Sequence, residues 1–120
     1  MRARILICLW AVVLLAGCAS SDPADAVERY LQAKVAGDRD TLRGLLCAEL
    51  ENTLDAEAVA FATVSEARIE GMDCQRDQNT VTCSGQILAS YGAENTTFPL
   101  MTYRVIEEDG AWKWCGVAER

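Results

Sequence analysis

The chain has 120 residues, with eleven Lys and Arg against eighteen Asp and Glu, no histidine, and a formal net charge of −7 at pH 7. That length holds one domain with one modest core and leaves no room for a second. The acidic balance argues against a generic nucleic-acid surface or an anionic-lipid patch, since both need clustered Lys and Arg.

Arg2 and Arg4 open the chain, an apolar run follows from Ile5 to Leu15, and Ala16-Gly17 precedes Cys18. This is the three-part layout of a secretory signal. The run falls well short of the roughly 20 residues that span a bilayer core. The segment Leu15-Ala16-Gly17-Cys18 resembles the bacterial lipobox, which implies cleavage before Cys18 and a diacylglycerol on its sulfur. The expected organisation is therefore a signal peptide at 1–17, a tether at 18–21 and a domain at 22–120. The implied location is the cell envelope, outside the cytoplasm, with the membrane contacted through the lipid. Two basic and no acidic residues lie in 1–17, so nine basic against eighteen acidic side chains remain, a net of −9. Such acidity keeps an exported domain soluble.

Asp22 can cap a helix that Pro23 opens and Asp25 favours through the dipole. Val27, Tyr30, Leu31 and Val35 recur at helical spacing until Gly37, which predicts a helix over 23–36. Asp38 can cap a second helix over 39–51, in which Leu42, Leu45, Leu46 and Leu50 form one stripe beside Cys47. Leu54, Ala58 and Phe61 share a face of a third short helix within 54–64. Strands are then predicted over Ala67–Cys74, Thr80–Tyr91, Thr97–Glu107 and Ala111–Val117, with turns at 75–79, 92–95 and 108–110. Pro99 calls for an edge position or a bulge. Helices followed by a four-stranded meander give an α+β class, with the helices packed on one face of a curved antiparallel sheet.

If Cys18 carries lipid, Cys47, Cys74, Cys83 and Cys115 form an even set outside the cytoplasm, which suggests two disulfides. Spacing alone does not choose among three pairings. The preferred one joins Cys74 to Cys83 across a hairpin and Cys47 to Cys115 between a helix and the last strand. Zinc is disfavoured by the lack of histidine and of any C-x-x-C pair. No metal or cofactor is expected.

Residues Val27 to Leu50, followed by Tyr103-Arg104-Val105-Ile106-Glu107-Glu108-Asp109-Gly110-Ala111-Trp112-Lys113-Trp114-Cys115, resemble small exported proteins of the nuclear-transport-factor-2-like (NTF2-like), cystatin-like superfamily. Many of these are lipoproteins with domains of unknown function. The resemblance implies a cone-shaped pocket between helices and sheet. Some members isomerise, dehydrate or hydrolyse substrates with an Asp-His or Asp-Tyr arrangement. The first needs a histidine that this chain lacks. A carboxylate base with a tyrosine donor from Tyr30, Tyr91 or Tyr103 remains. Each tyrosine is nonetheless expected at the core edge, its hydroxyl in water or capped by backbone.

No nucleophile elbow, phosphate-binding glycine loop or EF-hand loop is present. Asn95-Thr96-Thr97 reads as turn chemistry and Glu107-Glu108-Asp109 as a solvated hairpin tip. A regular strand puts Trp112 and Trp114 on one face and Cys115 on the other. A bond from Cys115 to the helices would then leave both tryptophans as an exposed interaction surface. A bulge near Trp114, the favoured alternative, would let one tryptophan enter the core. The leading expectation is a non-enzymatic envelope domain that binds a protein partner or a small apolar ligand. An isomerase or dehydratase is the competitor, and an accessory role in an envelope complex is a third reading.

Overall fold

The computed structural model describes residues 22–118. The expected signal peptide at 1–17, Cys18 and the expected tether at 18–21 lie outside the described residues. Helix α1 (Pro23–Ala36) starts where the Asp22 carboxylate accepts the Ala24 N–H at 2.9 Å, and it stops at Gly37, whose φ of 69° is left-handed. These are the two terminal signals a free-standing helix needs, because its end N–H and C=O groups lack partners inside it. Its buried face carries Ala26, Val27, Tyr30, Leu31 and Ala33.

Helix α2 (Arg39–Leu45) begins at Asp38, which accepts from the Thr41 N–H at 3.2 Å and from the Thr41 hydroxyl at 2.7 Å. It ends six residues before the boundary expected at 51. Leu46 is extended and bridges Trp114 in parallel, and the Cys47 N–H donates to the Trp114 carbonyl at 3.0 Å. Cys47 therefore lies on an extended link, not on a helix. The chain then re-coils as a 3-10 helix (Ala48–Thr53), whose first N–H is taken by the Glu108 carboxylate at 2.9 Å. Helix α3 (Leu54–Ala58) covers half of the predicted 54–64, and residues 59–63 form turns. No helix among the described residues is long and apolar enough to cross a membrane.

Five strands follow where four were expected: β1 (Glu66–Asp77), β2 (Thr80–Tyr91), β3 (Glu94–Pro99), β4 (Thr102–Glu108) and β5 (Ala111–Val117). All pair antiparallel in the order β1-β2-β4-β5, and β3 pairs with the far half of β2. The predicted strand over 97–107 is broken at Leu100–Met101, just after Pro99, which has no N–H to extend a ladder. The break stays hydrogen-bonded to β2, since Leu100 N–H donates to the Gly85 carbonyl and Cys83 N–H to the Met101 carbonyl, each at 3.0 Å.

Opposite that break, β1 and β2 slip register between Glu70 and Asp73. Gly85 sits there with a φ of 104°, and a Cβ on it would lie 2.6 Å from the Gly71 carbonyl oxygen and 2.7 Å from that of Glu70. Only glycine fits so close a backbone approach. The slip and the break bend the sheet over the helices. Val27, Tyr30, Leu42, Val81 and Val105 are fully buried between the two layers.

Two disulfides staple the domain, one within the sheet and one between the helical layer and the sheet. Cys74 faces Cys83 directly across the β1–β2 hairpin, with Cα atoms 4.1 Å apart and the two bonded. Cys47 is bonded to Cys115 of β5, with Cα atoms 5.3 Å apart. The β4–β5 hairpin turns through Asp109 and Gly110, both at positive φ, the geometry that matches strand twist.

Candidate functional site

A cavity of about 260 Å³ lies between the C-terminal half of α1, α3 and the concave face of the sheet. Tyr30 and Lys34 are one helical turn apart on α1 and so project side by side into its wall. Leu31, Ile87, Leu100 and Val117 supply aliphatic wall, while Phe61 and Phe98 meet edge to face, ring centroids 5.9 Å apart. The floor is aromatic: Tyr30 stacks on Trp114 at 4.0 Å with planes 9° apart, and Tyr103 tilts against the same indole at 6.2 Å.

One polar cluster interrupts these walls. The Tyr30 hydroxyl donates to Glu57 Oε2 at 2.5 Å, and the Lys34 ammonium meets the same oxygen at 3.0 Å. Burial of Tyr30 first, and then its bond to the Glu57 carboxylate, push the phenol pKa far above its ordinary value. It is therefore a neutral hydrogen-bond donor throughout the physiological range. Burial also raises Tyr103, partly offset by the bond from the Met101 N–H to its hydroxyl oxygen at 3.1 Å. Tyr91 is 41% exposed at the end of β2 and does not line the cavity.

Of the three tyrosines, Tyr103 is capped by backbone and Tyr91 faces water. Tyr30 departs from the expectation, because its hydroxyl goes to a carboxylate 27 residues away. The sequence reading did not single out Glu57. Its signal was there: Leu54, Glu57, Ala58 and Phe61 fall at helical spacing, which sets one acid on an otherwise apolar stripe.

Trp112 and Trp114 do not form a shared exposed surface. Between Trp114 and Val117, β5 takes three steps while β4 takes two from Val105 to Tyr103. The extra residue is accommodated around Gly116, whose φ is 95°. This bulge breaks the alternation, so Trp114 (6% exposed) and Cys115 (2% exposed) are both buried although adjacent. Trp114 becomes the cavity floor, and its Nε1–H has no acceptor among the described residues. Trp112 is half-buried beneath the Arg76 guanidinium, which lies 4.8 Å from the ring centroid. That cation–π contact packs the guanidinium on the indole.

Cys47, Cys115 and Glu49 are the one group among the described residues with enough ligand atoms close together for a metal ion, and Cys115 Sγ lies 3.7 Å from Glu49 Oε2. Both sulfurs are committed to the disulfide, so no thiolate is available to ligate.

No family model and no curated protein matches the sequence. Solved structures do. A candidate dehydratase of the NTF2-like family from Streptomyces avermitilis superposes with a TM-score of 0.54 at 16% identity, covering 78% of this chain and 92% of the other. A SEC-C motif containing protein from Rhodopseudomonas palustris gives 0.57 at 12% identity, covering 79% and 76%. A Mycobacterium tuberculosis protein of unknown function gives 0.52 at 16% identity, covering 80% and 69%. At these identities the likeness is one of fold, and the domain has the NTF2-like α+β fold.

Proposed function

We propose that this protein is a lipid-anchored envelope protein whose NTF2-like domain binds a small, largely apolar ligand in the cavity beneath α1 and α3 without transforming it. The observation that carries the binding reading is an apolar cavity with, among the described residues, one convergent polar cluster, the usual composition of a small-molecule site. The anchor reading rests on Leu15-Ala16-Gly17-Cys18 behind its short apolar run. Two acyl signals suffice to hold a domain at a membrane, so no part of the fold need touch the bilayer.

Native mass spectrometry and solvent extraction of the chain purified from its own envelope should recover a small molecule. Its recovery should drop when Phe61→Asp puts a charge in the cavity wall. An empty wild-type protein would sink the binding reading. Separately, Cys18→Ala should abolish incorporation of an alkyne-tagged fatty acid and release the protein from membranes.

The Streptomyces avermitilis neighbour's name and the Tyr30–Glu57 contact together favour one second reading, a dehydratase or isomerase with Glu57 as base. The local chemistry weighs against it. Glu57 is held in an ion pair with Lys34, and the Tyr30 proton is directed at Glu57 instead of at a reacting oxygen. A general base must reach a substrate proton, and an oxyanion donor must be aimed at developing charge. Turnover of the extracted molecule that vanishes in Glu57→Gln would favour the enzyme.

A further inference from the structure

We propose that the cavity selects an uncharged ligand whose polar head offers both a hydrogen-bond acceptor and a donor, such as a primary amide, and discriminates against carboxylates and ammonium ions of the same shape. This rests on the binding function proposed above.

Among the described residues, Lys34 and Glu57 are the two charged ones that line the cavity, and they sit 3.0 Å apart. An incoming carboxylate that approaches Lys34 also approaches Glu57, and an incoming ammonium meets the reverse, so either ion gains little net Coulomb energy. Each must still lose its hydration, which costs an ion several kcal/mol and a neutral amide far less. The pair nevertheless keeps unused hydrogen-bonding capacity. Both bonds to Glu57 fall on Oε2, and Oε1 carries none among the described residues. The Lys34 ammonium has three N–H donors, one of which serves Glu57.

The two side chains are part exposed, at 25% for Lys34 and 18% for Glu57, so a bound head group can reach them. A carbonyl oxygen can take a Lys34 N–H while the amide N–H donates to Glu57, and the ion pair stays intact. The cavity is about 260 Å³, just below the usual range of ligand sites, and its mainly aliphatic and aromatic lining suits a compact ligand with an apolar body.

Three matched probes test this on the full chain: benzamide, benzoate and benzylammonium, followed by ligand-observed NMR titration at neutral pH. Benzamide should bind about tenfold more tightly than either ion. Glu57→Gln, which leaves Lys34 unpaired, should move the preference to benzoate, and Lys34→Gln should move it to benzylammonium. An ion binding the wild type as tightly as benzamide overturns the neutral-head proposal while leaving the binding function standing. If none of the three binds while the purified wild-type protein still yields a small molecule on extraction, the neutral-head proposal falls and the binding function stands. The wild-type ranking decides the question even where a variant fails to fold.

Discussion

Glu57 receives two donors on one oxygen, and each does different work. The Tyr30 hydroxyl is buried and fixed by its stack on Trp114, so its bond locates α3 relative to α1. Lys34 supplies charge balance, which lets the carboxylate remain at a cavity otherwise lined by hydrocarbon and aromatic rings. Tyr30→Phe keeps the stack and deletes the bond. A hydrogen bond to a charged partner contributes about 1.5–3 kcal/mol, so urea unfolding at neutral pH should show a loss of about that size. The same variant has a pH signature. Tyr30 is raised in the folded state above its ordinary value of 10.0. Its contribution is complete below that value and is lost as pH rises, because the unfolded phenol ionises while the folded one holds its proton. Wild-type stability should therefore fall with pH above about 10, and Tyr30→Phe should fall less steeply. Tyr103, also raised, accounts for part of the slope that remains.

Among the elements, the bent β1–β2 ribbon and the bulged β5 decide what the cavity contains. Gly85 permits the bend, since its backbone nearly touches Gly71 and its φ of 104° is open to glycine and closed to most side chains. Gly85→Ala should cost about 3 kcal/mol or more, combining backbone strain with a clash against carbonyl oxygen. A loss under about 1 kcal/mol in denaturant titration would show that the ribbon yields without strain. The β5 bulge turns Trp114 inward beside Cys115, and the parallel bridge from Leu46 holds the bulge from the other side. Helix α2 is short for the same reason: the backbone after Leu45 pairs with β5 in place of another helical turn. Periodicity predicted a longer helix because Leu50 continues the leucine stripe, whereas the bridge to Trp114 spans 68 residues of sequence and leaves no local mark.

At the scale of the molecule, a core of fewer than one hundred described residues is held by two covalent ties of unequal reach. Cys47–Cys115 spans 68 residues and Cys74–Cys83 spans nine. By loop-closure entropy the longer tie should stabilise the fold by about 1.8 kcal/mol more than the shorter. Thermal unfolding of Cys47→Ala/Cys115→Ala against Cys74→Ala/Cys83→Ala should accordingly differ by about 7–14 °C, the long-range pair losing more. Equal losses would mean that the reduced chain already keeps residues 47 and 115 close. The long tie also joins the helix layer to the strand that floors the cavity, so its removal should weaken ligand retention, while loss of the hairpin tie should leave retention unchanged.

Much of this architecture is legible in the sequence because its signals are local. Asp22, Pro23 and Gly37 bound α1 within one residue, Asp38 starts α2, and Asp109-Gly110 sets the last hairpin; each acts through neighbours in the chain. Alternation and β-branched content likewise declare an antiparallel sheet after a helical half, which is enough for the α+β class. The tertiary structure alone brought Glu57 to Tyr30 and ended α2 at Leu45, and it decided for the bulged arrangement of Trp114 over the exposed one, a choice the sequence had left open. Those outcomes depend on contacts between distant segments and on a one-residue bulge that reverses which face a side chain takes. The sequence by itself determines the kinds of element and their order; the chemistry of the cavity exists only where three of those elements converge.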